Sequence, residues 1–168
     1  MAAVFAAALL RHNDHGVLLP FDTKVNKIDI NPRDSIMTNA QKMAAIRGGG
    51  TDCSCALAYM NQTKMKASAV VFISDSESWS AYAGTKYSRK VKGTGMMHEW
   101  EQFIKSNPHA KLINIDITPS DTTQIATTPN TLLVGGLNDS VLDIVASFLR
   151  HDFDNEEYWV GMIQSIKL

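Results

Sequence analysis

One uninterrupted apolar run, Ala69 to Ile73, constrains the fold of this chain more than any other segment. It is rich in β-branched residues and has no polar alternation, which is typical of a strand covered on both faces of a sheet. The polar sequence Ser74-Asp75-Ser76-Glu77 follows at once, so a carboxylate stands at the C-terminal end of a buried strand. In an open α/β sheet, ligands bind in the crevice outside that end of the strands.

Helical and extended patterns alternate on both sides of this run. Further strands are predicted over Lys111 to Ile117 and Thr131 to Val134. Val17 to Phe21 and Val25 to Ile30 are predicted to form an antiparallel hairpin, because only a short turn joins them. Helices are predicted over Met1 to His12, from a cap at Ser35 or Asp34 to Ile46, from a start at Thr51 or Asp52, over Met96 to Lys105, and from a cap at Asn138 or Asp139 to Arg150.

Such alternation indicates an α/β fold with an open, mainly parallel sheet, helices on both faces and right-handed crossovers. This is a three-layer, Rossmann-like arrangement. The tail from His151 to Leu168 contains Tyr158 and Trp159, and is predicted to pack back as either a strand or a helix.

Composition excludes some classes of protein. With 168 residues, 45% of them apolar and 20% charged, the chain is expected to form one globular domain over 1–168. The formal net charge of −1 gives no global attraction to nucleic acid, so such binding would need a local basic patch. The apolar segment Met1 to Leu10 is too short to span a bilayer, and predicts a buried helix and no membrane partner.

The two cysteines, Cys53 and Cys55, are separated by one residue. That spacing suits neither a structural disulfide nor a complete zinc site. Both are therefore interpreted as reduced thiols, in a cytoplasmic protein.

The segment Arg47-Gly48-Gly49-Gly50-Thr51 supplies the other half of the predicted crevice. Its glycines allow positive φ and a close approach of backbone to ligand, and Thr51 places a hydroxyl near the start of a helix. Hydroxyl and carboxylate oxygens are ligands that Mg²⁺ prefers, so Thr51 and Asp75 are candidate ligands for Mg²⁺ or another divalent cation. The alternative is that Thr51 caps a helix and Asp75 forms a turn. Asp52 and Ser54 are predicted to cap the helix and to hold Thr51 in position.

Two tyrosines interleave with basic residues between Tyr82 and Lys92. Such a segment could contact RNA phosphates and stack on bases, and the alternative is a solvated loop. The candidate RNA-binding residues are Lys86, Arg89, Lys90 and Lys92. The chain contains neither a Gly-x-Ser-x-Gly nucleophile elbow nor a Walker sequence, and we predict that it is not an enzyme.

With these motifs in place, the sequence resembles a von Willebrand factor A (vWA) domain, and more closely the A-type domain of the Ro ribonucleoprotein (TROVE) family. The resemblance covers most of residues 1–150, in six segments: MAAVFAAALLR, VLLPFDTKV, RGGGTDCSCAL, VVFISDSESW, HEWEQFIKSNPHAKLINIDI and LLVGGLNDSVLDIVASFL. It implies a metal-ion-dependent adhesion site (MIDAS), which is built from three loops. Thr51 matches the threonine of the second loop, and Asp75 matches the aspartate of the third.

The third part, an Asp-x-Ser-x-Ser loop, does not occur in the sequence. The resemblance implies that this loop and its strand precede the first helix, and that the strand lies between Val17–Phe21 and Ala69–Ile73. We therefore expect a partial vWA-like domain truncated at its N-terminus, with a degenerate, weakly binding metal site. Three explanations stay open: a fragment of a longer gene product, which we favour; a separate polypeptide that supplies the strand; or direct closure of the flanking strands.

The resemblance also implies a non-catalytic module of a protein that binds small non-coding RNA through its full length. The alternative is a metal-dependent, adhesion-type protein-interaction domain with no RNA role. In that case a protein partner would dock at the metal site.

Overall fold

The computed structural model describes residues 1–46, 51–74, 95–118, 125–126, 128–136 and 138–150. These ranges contain five helices and three strands. In chain order they are α1 (Ala2–Arg11), α2 (Ile36–Ala44), α3 (Ser54–Gln62), β1 (Ala69–Ser74), α4 (Gly95–Ser106), β2 (Lys111–Asp116), β3 (Thr131–Gly135) and α5 (Asp139–Leu149). The predicted tail element at 151–168 lies outside the described residues.

The three strands form one parallel sheet in the order β1-β2-β3. Val71 pairs with Ile113, and Ile113 pairs with Leu132. The central strand β2 is buried along its length except at Asp116. A parallel strand covered on both faces needs apolar side chains on both, and the sequence of β2 supplies them on either side of Asn114.

One layer of helices covers the face of the sheet that carries Phe72 and Leu112. These side chains join a core cluster with Leu57 of α3 and with Trp100 and Phe103 of α4. Trp100 and Phe103 stack with their ring centroids 5.7 Å apart. Because Trp100, Phe103 and Leu57 are almost completely buried, this cluster fixes α3 and α4 against the sheet.

The opposite face is covered by α5 and α1. Ile113 and Ile115 of β2 pack with Val141 and Val145 of α5, and Phe5 of α1 packs against the same cluster. Helices therefore lie on both faces of a parallel sheet, as the sequence predicts. No helix in the described ranges combines the length and the apolar character that a membrane span requires.

The predicted hairpin between Val17 and Ile30 is wrong. In its place is an extended segment with a single antiparallel bridge, between Phe21 and Val25. Asp22 N donates to Lys24 O at 3.0 Å and Asn26 N donates to Pro20 O at 2.7 Å, so the turn itself is present. Pro20 has no N–H to donate to a ladder, and neither half of the segment pairs with the described sheet.

Direct closure of the flanking strands, one of the three explanations above, is absent, because β1 pairs only with β2 in the described part of the chain.

Side-chain caps fix two helix starts. Ser35 Oγ accepts from Thr38 N at 3.0 Å ahead of α2, and Asn138 Oδ1 accepts from Val141 N at 3.2 Å ahead of α5.

Candidate functional site

The carboxyl edge of the sheet is marked by Asp116, at the end of β2. Its Oδ1 accepts from Thr118 N at 3.0 Å, and its backbone oxygen accepts from Gly136 N at 2.7 Å. Gly136 has φ of 86°, a conformation that favours glycine, so it can turn the chain directly after β3. β1 ends at the same edge, at Ser74, and the chain continues from there to Asp75.

The residues after the glycine run form the N-terminal approach to α3. Asp52 Oδ1 accepts from Ser54 N at 2.9 Å and from Ser54 Oγ at 2.6 Å. The helix begins at Ser54, two residues later than the later predicted start, and its N-cap residue Cys53 contributes no side-chain cap bond. The carboxylate of Asp52 therefore does the capping, as an acceptor near the positive end of the helix.

A contact that sequence reasoning missed joins this approach to the turn at Asp22. Asp52 N donates to Asp22 O at 2.8 Å. The Asp22 carboxylate accepts from Lys24 N at 2.9 Å, and this backbone hydrogen bond is the main reason that the pKa of Asp22 is lowered. No local motif predicts a backbone bond between residues thirty positions apart, so only the tertiary fold reveals it.

Cys55 lies on the first turn of α3, close to the same acidic groups. Burial raises its pKa to about 12, with smaller contributions from the negative charges of Asp52, Cys53 and Asp22. The thiol is therefore held in its neutral form. Neither Cys53 nor Cys55 is part of a disulfide.

The candidate site residues are only partly within the described ranges. Thr51, Asp52 and Ser54 are described and half-buried. Asp75 lies outside the described residues, as do the glycine run and the candidate RNA-binding residues Lys86, Arg89, Lys90 and Lys92. The closeness of Thr51 to Asp75, on which the predicted metal site depends, therefore stays a prediction. Among the described residues alone, no three His, Cys, Asp or Glu side chains are grouped as a metal site would require.

A parallel sheet between two helical layers defines a three-layer α/β domain. The family model of the Ro60 vWA domain matches residues 1–149, and the chain belongs to that family. The resemblance seen in the sequence is confirmed.

Two proteins from Deinococcus radiodurans are similar to the chain. The RNA-binding protein RO60 is 24% identical over 120 residues, which is 71% of this chain and 21% of the relative. The crystal structure of the RO (RSR) protein matches with a TM-score of 0.70 and 22% identity, covering 90% of this chain and 29% of that one. At this identity the structural match supports the fold alone. The chain spans less than a third of either relative.

Proposed function

We propose that this chain is a non-catalytic vWA module of a Ro-type protein that binds small non-coding RNA. The observation that carries the proposal is the match of residues 1–149 to the Ro60 vWA family. The relative from Deinococcus, named an RNA-binding protein, supports it further. Most RNA contacts would belong to parts of the full protein beyond this module, so the module alone should bind RNA weakly.

The basic stretch after β1 is where we expect this module to contact RNA. The formal net charge of −1 provides no general attraction to phosphates, so a contact must be local. Lys86, Arg89, Lys90 and Lys92 supply that local charge. They follow β1 along the chain, which leaves the sheet at the edge that carries Asp116.

The test is RNA binding at several salt concentrations, with a short structured RNA as the probe. We expect alanine at Lys86, Arg89, Lys90 and Lys92 together to weaken binding. Removal of one phosphate contact should reduce the slope of log K against log salt by about 0.7–0.9. A four-alanine control at the exposed positions Lys27, Arg33, Lys64 and Lys105 removes the same charge. Equal weakening in the two variants would contradict a local RNA-binding site.

We further propose that Thr51 and Asp75 hold a divalent cation, with Mg²⁺ as the probe. The hydroxyl and carboxylate chemistry of the pair supports this, since Mg²⁺ binds oxygen ligands. One Asp52 oxygen already accepts two hydrogen bonds from Ser54, so we assign Asp52 a positioning role. Two protein ligands would leave water in most of the coordination sphere, and binding should therefore be weak.

A Mg²⁺ titration followed by thermal unfolding checks this assignment. A cation that binds only the folded chain raises its stability by RT ln(1 + [L]/Kd), so the melting temperature should rise with Mg²⁺. Asp75→Asn should abolish that rise. Asp29→Asn, at an exposed site, should retain it. If both variants respond as the unmodified chain does, the assignment of Asp75 is wrong.

The second candidate is a metal-dependent protein-interaction domain of the adhesion type, without an RNA role. The near-neutral charge of the chain favours it, because docking of a partner carboxylate on a metal needs no basic surface. Binding of such a partner should disappear with chelator, whereas RNA binding should weaken steeply with salt.

A protein partner that supplies a strand to the sheet is also proposed. The two thiols suit the cytoplasmic location that we propose.

A further inference from the structure

A surface cavity of about 330 Å³ lies at the amino end of the sheet, where residues 66–68 and 107–110 line it. The first of these segments leads into β1 and the second leads into β2. Ser68 O accepts a hydrogen bond from Lys111 N at 3.0 Å, so the two segments meet where the β1–β2 ladder begins. The cavity is therefore at the opposite end of β2 from Asp116 and the carboxyl edge.

The amide of Asn107 holds the two lining segments together. Asn107 is 7% exposed, and its Oδ1 accepts from Ala67 N at 3.3 Å. Its Nδ2 donates to Met65 O at 3.4 Å and to Phe103 O at 3.1 Å. These bonds join the approach to β1 with the end of α4. The walls of the cavity are thus fixed in advance, which lowers the entropic cost of binding.

The lining combines apolar surface with basic groups. Two alanines and a proline supply the apolar surface, and no acidic residue is among the described residues that line the cavity. Lys66 and His109 are both exposed. Lys66 Nζ donates to Ser106 O, and an ammonium group with three donors can bind a carboxylate as well. The matching occupant is an aromatic or apolar side chain with carboxylates beside it.

That chemistry occurs in this chain directly after α5. The sequence His151-Asp152-Phe153-Asp154 places an aromatic ring between two carboxylates, and it follows the C-cap residue Arg150. These four residues lie outside the described residues. They also lie outside the match to the Ro60 vWA family, which ends at residue 149. The family fold therefore assigns them no position.

The end of α5 lies close to the cavity. Lys111 joins the two, because its backbone follows Ala110 in the cavity wall and its Nζ donates to Phe148 O near the end of α5. A single lysine side chain thus bridges the gap. The three residues from Arg150 to Phe153 span about 10 Å in an extended chain. Tethering over so short a distance gives Phe153 a high effective concentration at the cavity.

We propose that Phe153 binds in this cavity, with Asp152 and Asp154 paired to Lys66 and His109. Exposed ion pairs are weak, so the ring is the anchor and the carboxylates select the site. The tail is thereby held at the amino end of the sheet and leaves the carboxyl edge uncovered. Neither RNA nor metal is required for this docking.

Photo-crosslinking of the 168-residue chain at low concentration locates the ring. Phe153 is replaced by p-benzoylphenylalanine, and the crosslinks are mapped by mass spectrometry. We expect crosslinks within one chain, from position 153 to residues 66–68 and 107–110. The same photoreactive group at Tyr158 is the matched control and should not reach these residues. Crosslinks from position 153 to other parts of the chain, crosslinks between two copies, or no crosslinks would each overturn the proposal.

Lysine acetylation tests the same contact with natural side chains. Phe153→Ala should raise the acetylation rate of Lys66 by about two- to fivefold, because the occupant that pairs with the ammonium is released. The rate at exposed Lys64, which does not line the cavity, is the internal reference. Tyr158→Ala should change neither rate. An unchanged rate at Lys66 in Phe153→Ala would overturn the proposal. Both substitutions follow the last helix, so the core is left intact.

Charge reversal tests the pairing of the carboxylates. Lys66→Glu should lower the yield of crosslinks from position 153, and Asp152→Lys together with Asp154→Lys should restore it. Lys64→Glu makes the same change of charge two residues away and should leave the yield unchanged. Equal losses in the two glutamate variants, or no recovery in the combined reversal, would overturn the assigned pairing.

Discussion

At the scale of single residues, Cys55 shows how the surroundings of a side chain set its reactivity. One residue separates it from Cys53 in the sequence, a spacing that does not suit a structural disulfide. In the structure it lies half-buried beside Asp52, and burial raises its pKa to about 12. A thiol reacts as its thiolate, so this cysteine should be inert at neutral pH.

Alkylation with iodoacetamide at pH 8 measures this directly. We expect folded Cys55 to react at least about a hundredfold more slowly than the same residue in denaturant, because a rise of three pKa units lowers the thiolate fraction about a thousandfold. The folded pKa lies above the unfolded one. The stabilising contribution of the neutral Cys55 thiol is therefore complete below about pH 9, and is lost as pH rises toward 12. Comparable rates in the two states would contradict the raised pKa.

At the scale of elements, a lysine at the start of β2 fixes the end of α5. Lys111 is 7% exposed, its Nζ donates to the backbone oxygen of Phe148, and the same ammonium lies 4.5 Å from the centroid of the Phe148 ring. A cation at a helix C-terminus satisfies a terminal carbonyl and interacts favourably with the helix dipole. The strand and the helix are thus joined at the amino end of the sheet, away from the candidate site.

Urea unfolding of Lys111→Ala tests this junction. We expect the free energy of unfolding to fall by about 2–3 kcal/mol, because the substitution removes a charged hydrogen bond, the ring contact and the packing of the lysine stem. Lys105→Ala, at an exposed position of α4, should change stability by less than about 0.5 kcal/mol. If the two variants are equally stable, Lys111 does not anchor α5.

Elements also show where sequence patterns succeed and fail. The runs that form β1, β2 and β3 are predicted within about one residue, because a buried parallel strand needs a continuous apolar run. Alternation over Val25 to Ile30 predicts a strand that the structure lacks. An alternating pattern describes which side chains face inward, but a strand also needs a neighbour to pair with, and this segment has only the bridge from Phe21 to Val25.

At the scale of the whole molecule, the layered fold is predictable from the sequence and the arrangement of the site is only partly so. Order and spacing of the elements specify a parallel sheet between helices, which the structure confirms. The capping role of Asp52 follows from local chemistry. The bond from Asp52 N to Asp22 O does not, because it depends on how two distant loops meet. The pairing of Thr51 with Asp75 stays a prediction.

Burial on both faces of β2 has a consequence for how the molecule comes apart. Leu112 contributes to the cluster beneath α3 and α4, and the next residue, Ile113, contributes to the cluster beneath α5. Releasing either helical layer would expose one apolar face of β2, the strand that both layers share. Loosening should therefore begin at the outer strands, and the two halves of the core should melt in a single cooperative step.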